Sequence, residues 1–82
     1  MGRSHITAPD RRFRQRIGKL LGDARRQAGL SQEALAKRLR CHRVTVAHIE
    51  GGNGGGLSIE HISRIAKATG ADPGALLREA MQ

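Results

Sequence analysis

Cys41 and His42 stand side by side, a thiol next to an imidazole, the two groups of a nucleophile and its base. Adjacent side chains do not converge on one atom, and no third group is evident to orient the imidazole. Cys41 therefore reads as a small apolar filler of a turn. His42 and His48 are six residues apart rather than four, so they do not form a helical metal pair. The run Gly51-Gly52-Asn53-Gly54-Gly55-Gly56 leads into Leu57 and Ser58, not into the Lys-Ser/Thr of a phosphate loop. No catalytic residue, metal or cofactor is expected. The chemistry left to the chain is cationic. Residues 1–43 carry twelve Lys and Arg against three acids, a net +9, while residues 44–82 sum to −1. A solvated charged surface is the simplest reading of surplus cations. An excess this large and this one-sided favours a polyanionic partner on one side of the molecule, nucleic acid first.

The composition narrows the class. Eighty-two residues make one small domain. No apolar run approaches the 18 or so residues of a membrane span, and no apolar stretch follows Arg3 and His5 as in a signal peptide. Ile6 occupies the position where an N-myristoylation signal wants Ser or Thr. A lone cysteine suits a reducing cytoplasm. Phe13 is the only aromatic residue, which argues against an acidic membrane surface and against base stacking on single-stranded RNA.

The elements that must position the cations read as five helices with no strand. Thr7 and Asp10 have capping-box spacing around Pro9, and Phe13, Ile17, Leu20, Leu21, Ala24 and Ala28 make a helical stripe that Gly29 ends. Gly18 and Gly22 lie inside this helix and permit close packing at some cost in propensity. Ser31 caps a second helix with Leu35, Ala36 and Leu39 inward. After a turn at about Arg40 to His42, a third helix runs from about Arg43 to Glu50 with Val46 and Ile49 inward. Two short helices with so short a turn predict a helix-turn-helix. Ser58 caps a fourth helix with the stripe Ile59, Ile62, Ile65, Ala66, ending at Gly70. Asp72-Pro73 opens a fifth with Leu76 and Leu77.

On these residues, SQEALAKRLRCHRVTVAHIEGG (Ser31 to Gly52) resembles the helix-turn-helix of Cro/C1-type (XRE family) DNA-binding proteins, and the likeness extends over about residues 13–77. It implies a compact all-α, five-helix repressor-like domain whose third helix enters the major groove. The resemblance puts base reading on Arg43, Val44, Ala47 and His48. The residue types suit this, since Arg43 can bond guanine in bidentate fashion and Val44 can meet a thymine methyl. Phosphate contact or positioning falls to Gln32, Thr45, Arg40, Arg16, Lys19 and Lys37. The family also pairs an arginine of helix one with a glutamate after helix three, here Arg25 with Glu50. A free surface charge or a phosphate contact is the other reading of Arg25. Two features depart from the family. Arg40 stands where glycine is usual and a left-handed backbone is needed. The loop after Gly52 carries no cation, so its phosphate contacts would come from backbone N–H groups.

A basic arm of residues 1–9, either disordered or reaching into a groove, is expected to precede a domain of residues 10–82. A small core and a single reading helix both favour a homodimer on a palindromic operator. The dimer surface is expected around Leu76, Leu77 and Met81; the other reading of Leu76 and Leu77 is that they close the core, and one of them is expected to. No second domain is expected, so control would come from concentration, cooperative binding or a protein partner such as a toxin. The functional expectation is a non-enzymatic, cytoplasmic, double-stranded-DNA-binding transcriptional regulator: a phage-type repressor, a restriction–modification controller or an autoregulating antitoxin. The alternatives are a basic RNA- or ribosome-associated protein and a protein-docking helical module.

Overall fold

Ser31, Ser58 and Asp72 each open a helix by the same local chemistry. A side-chain oxygen accepts from the backbone N–H three residues on, a donor that the helix itself leaves without a partner. Ser31 accepts from Ala34, Ser58 from His61 and Asp72 from Ala75, with Pro73 in the first turn after Asp72. The computed structural model describes residues 8–52 and 57–82. Within them the chain is all-α: α1 (Ala8–Gln27), α2 (Gln32–Leu39), α3 (Arg43–Glu50), α4 (Ile59–Thr69) and α5 (Pro73–Ala80). The expected cap at Thr7, residues 1–7 of the expected arm and the loop residues 53–56 lie outside the described residues, while Ala8 and Pro9, expected in the arm, open α1.

The helices end as the glycines foretell. Gly29 and Gly70 adopt φ of 76° and 79°, and Leu30 N–H then reaches back to the Arg25 carbonyl at 3.1 Å. The turn between α2 and α3 has the same shape without glycine. Arg40 sits at φ 59°, ψ 47°, and Cys41 N–H donates to the Ala36 carbonyl at 3.0 Å. The left-handed backbone is thus retained by a residue with a Cβ, at about 1–2 kcal/mol. Arg40→Gly is expected to stabilise the fold by about 1 kcal/mol, after allowing for the greater chain entropy of glycine. That amounts to a rise of about 4–8 °C in thermal midpoint for a domain of this size. A fall in the midpoint would mean that the Arg40 side chain contributes more than the strain costs.

Ile17, Leu21, Leu35, Val46 and Ile65 are fully buried and form the centre of the core, with Ala36, Leu39, Ile49, Ile62 and Ala80 around them. Phe13, Cys41, Leu76 and Leu77 pack partly against this cluster, so Cys41 does fill the turn and both leucines of α5 help to close the core. Two residues depart from the expected stripes. Ala28 is exposed and lies just beyond the end of α1. Ile59 was placed on the inward stripe of α4, yet it is 67% exposed. Its helical phase matches Ile62 and Ala66, but it is the first residue of α4, and its side chain leans past the helix end rather than over the core.

Candidate nucleic-acid interface

α3 has two faces. Val46 and Ile49 are buried, while Arg43, Val44 and His48 are exposed, Val44 by 52%. Ala47 is half-buried beside them, and positions 43, 44, 47 and 48 share one helical face by their spacing. Thr45 is half-buried, and its N–H donates to the His42 carbonyl at 2.9 Å. His42 occupies the N-cap without a side-chain cap hydrogen bond. The start of α3 therefore presents two exposed cation-forming or cationic side chains and uncapped backbone donors. It has no acid in its first turn.

The other end of α3 is held by one carboxylate. Arg25 Nε donates to Glu50 Oε2 at 2.6 Å and Arg25 Nη2 to Oε1 at 3.1 Å, and both side chains are only 9% exposed. Arg25 Nη1 donates to the Leu30 carbonyl at 2.7 Å, which uses a third donor of the guanidinium. Gln32 Nε2 donates to Glu50 Oε1 at 3.0 Å. Glu50 thus joins α1, α2 and α3. The structure brings Arg25 and Glu50 together. The bond from Gln32 had no local signal, because its partner lies 18 positions away.

Gly18 and Gly22 let α3 come this close. A Cβ on Gly18 would fall inside contact distance of the Ile49 carbonyl oxygen and 2.7 Å from that of Glu50. A Cβ on Gly22 would lie 3.2 Å from Glu50 Oε1. Gly52, at φ 71°, rests on α1 so closely that a Cβ would be 2.8 Å from Gln15 Cα.

The expected phosphate residues are spread over the molecule. Lys37 and Arg40 are exposed at the C-terminal end of α2. Arg16 and Lys19 are exposed, and each meets a partner within the protein. Arg16 donates to the carbonyls of Gln82 and, at 3.1 Å, Glu79, tying α1 to the end of α5. It lies about 160° round α1 from Gly18, the position that faces α3. Lys19 Nζ is 3.4 Å from Asp23 Oδ2, and Asp23 is shared with Arg26 at 2.5 Å. The hydrogen bond from Arg26 holds the Asp23 carboxyl below the usual carboxylate range. Met81 is 75% exposed just beyond α5.

No group of three potential metal ligands occurs among the described residues, and no described helix is long and apolar enough to cross a membrane. Residues 16–80 match the family described as Helix-turn-helix domain. The crystal structure of apo-HppE is similar, with a TM-score of 0.68 and 38% identity over 77% of this chain. The present chain covers 35% of that protein, about a third of its length. No curated protein matches the chain in sequence. With most of its length matched and its two short helices packed at the expected turn, the chain belongs to the helix-turn-helix domain family, a DNA-binding fold.

Proposed function

We propose that the protein is a sequence-specific transcriptional regulator of the Cro/C1 type that inserts α3 into the major groove of double-stranded DNA. One observation carries this reading. The helix is exposed along Arg43, Val44 and His48 while its far end is fixed to two other helices through buried Glu50. A reading helix needs both properties: free side chains at base edges and a rigid mount. Arg43 bonds guanine, Val44 and Ala47 offer methyl contacts, and His48 reaches a base edge or a phosphate one turn on. Thr45 on α3, Gln32 at the start of α2 and the exposed Lys37 and Arg40 at its C-terminal end position the backbone. Arg25 braces Glu50. The regulator acts in the cytoplasm as a homodimer on a palindromic site. Leu76 and Leu77 are partly spent on the core, so Met81 supplies most of the free apolar area there. Phage-type repressor, restriction–modification controller and autoregulating antitoxin with a toxin partner all fit this mode of binding.

Selection of bound duplexes from a random pool tests the reading directly. A recovered palindromic motif supports it, and indifference to all duplexes at low ionic strength refutes it. With the motif in hand, Arg43→Ala is expected to lower the preference for it over random DNA by about 1–3 kcal/mol. Competition binding measures this, and equal losses on both duplexes would remove the base-reading role. A second reading, a docking module within a longer protein, is favoured by the way the fold forms only 35% of the apo-HppE chain. It predicts that no duplex is selected.

A further inference from the structure

We propose that Arg11 and Arg14 grip the sugar–phosphate strand at the end where α3 leaves the groove. This rests on the reading of α3 as the inserted helix. Eight residues make α3 about 12 Å long, close to the width of the major groove. If its N-terminal residues reach the bases, its C-terminal end emerges toward a phosphate strand. The chain that follows, Gly51 to Gly56, has no cationic side chain to meet that strand.

α1 runs directly beneath this end. Gly18 lies against the carbonyls of Ile49 and Glu50, and Gln15 lies against Gly52. Arg14 is four positions before Gly18 and Arg11 is seven before it, so both fall within about 40° of the same face. They sit about 6 and 10 Å further along the axis, and their side chains lean toward the N-terminus, beyond α3. Arg11 is exposed and Arg14 half-buried. Among the described side chains neither meets a carboxylate, and the buried Nε of Arg14 has no acceptor. Asp10 is the one acid among the first 22 residues, against six Lys and Arg. Cations near the N-terminal end of a helix oppose its dipole, so stability alone does not call for them. A polyanion alongside would. Arg16 and Lys19, by contrast, are engaged with α5 and Asp23.

The test measures binding of the full chain to the selected duplex and to random duplex over a salt series. Arg11→Ala/Arg14→Ala is expected to weaken both about tenfold or more, and to reduce the slope of log K against log salt by about 2 per bound protomer, about 4 for the dimer. Lys67→Ala/Arg78→Ala removes the same charge from α4 and α5 and is expected to change the slope by much less. Arg11→Lys/Arg14→Lys should keep most of the slope, since it keeps the charge. If the alanine pair does not fold by circular dichroism, Arg11→Ala alone, at an exposed site, is expected to lower the slope by about 1 per bound protomer, about 2 for the dimer. A slope loss no greater than the Lys67/Arg78 control overturns the proposal while the α3 reading stands. Absence of duplex binding by the unaltered chain overturns both.

Discussion

Glu50→Ala is expected to destabilise the domain by about 3–5 kcal/mol, as removal of one member of a buried pair leaves the other charge without compensation. Arg25 cannot simply turn to water. Its guanidinium is already bonded to the Leu30 carbonyl and its side chain is 9% exposed. Gln32 would lose its acceptor in the same step. Small domains have about 5–15 kcal/mol of stability in all, so a loss of this size leaves a substantial unfolded fraction at moderate temperature. Chemical denaturation of the two proteins measures it. The double change Arg25→Met/Glu50→Leu should recover most of the loss, because a buried ion pair is often replaceable by apolar residues of similar volume. The double variant should nevertheless bind DNA less selectively, since the bidentate bond that orients the end of α3 is gone. Full stability in Glu50→Ala would show that the carboxylate contributes no more than an exposed pair, about 0–1 kcal/mol.

The parts legible in the sequence are those with local causes. Ser31, Ser58 and Asp72 cap by bonding three residues ahead, and Gly29 and Gly70 turn left-handed because they lack a Cβ, so the starts of α2, α4 and α5 and the ends of α1 and α4 follow from short spacings. The exposed face of α3 is legible for the same reason, once Val46 and Ile49 are taken as inward. What required coordinates acts at long range or at an end. Arg16 bonds carbonyls 63 and 66 positions away, contacts that no spacing reveals. Arg25 and Glu50, 25 positions apart, were paired through family resemblance rather than periodicity. Ile59 has the right phase but lies at a helix end, where phase does not ensure burial. Arg40 shows the limit from the other side. Its type disfavours the left-handed turn by about 1–2 kcal/mol, and the packing of α2 on α3 imposes the turn regardless.

Gly18→Ala separates local propensity from tertiary packing. Propensity predicts that alanine inside α1 gains about 1 kcal/mol over glycine. Packing predicts a loss, because the new Cβ would overlap the carbonyl oxygens of Ile49 and Glu50, and these are backbone atoms that no rotamer change can move. Relieving the overlap means pushing the end of α3 away from α1, which stretches the Arg25–Glu50 bonds and lifts Gly52 from Gln15. Overpacking of this kind typically costs about 1–3 kcal/mol, so the packing effect wins and the variant is expected to melt several degrees lower. Gly22→Ala is the internal comparison. Its Cβ would meet the Glu50 carboxylate at 3.2 Å, a milder approach than to backbone but to a group held by Arg25 and Gln32, so the propensity gain should be largely offset and the net change smaller than for Gly18→Ala. The same displacement tilts the exposed face of α3, and Gly18→Ala should therefore lose discrimination between the selected duplex and random DNA even below its melting range. Stabilisation of Gly18→Ala by about 1 kcal/mol, with discrimination intact, would mean that α3 does not rest on α1 through these carbonyls.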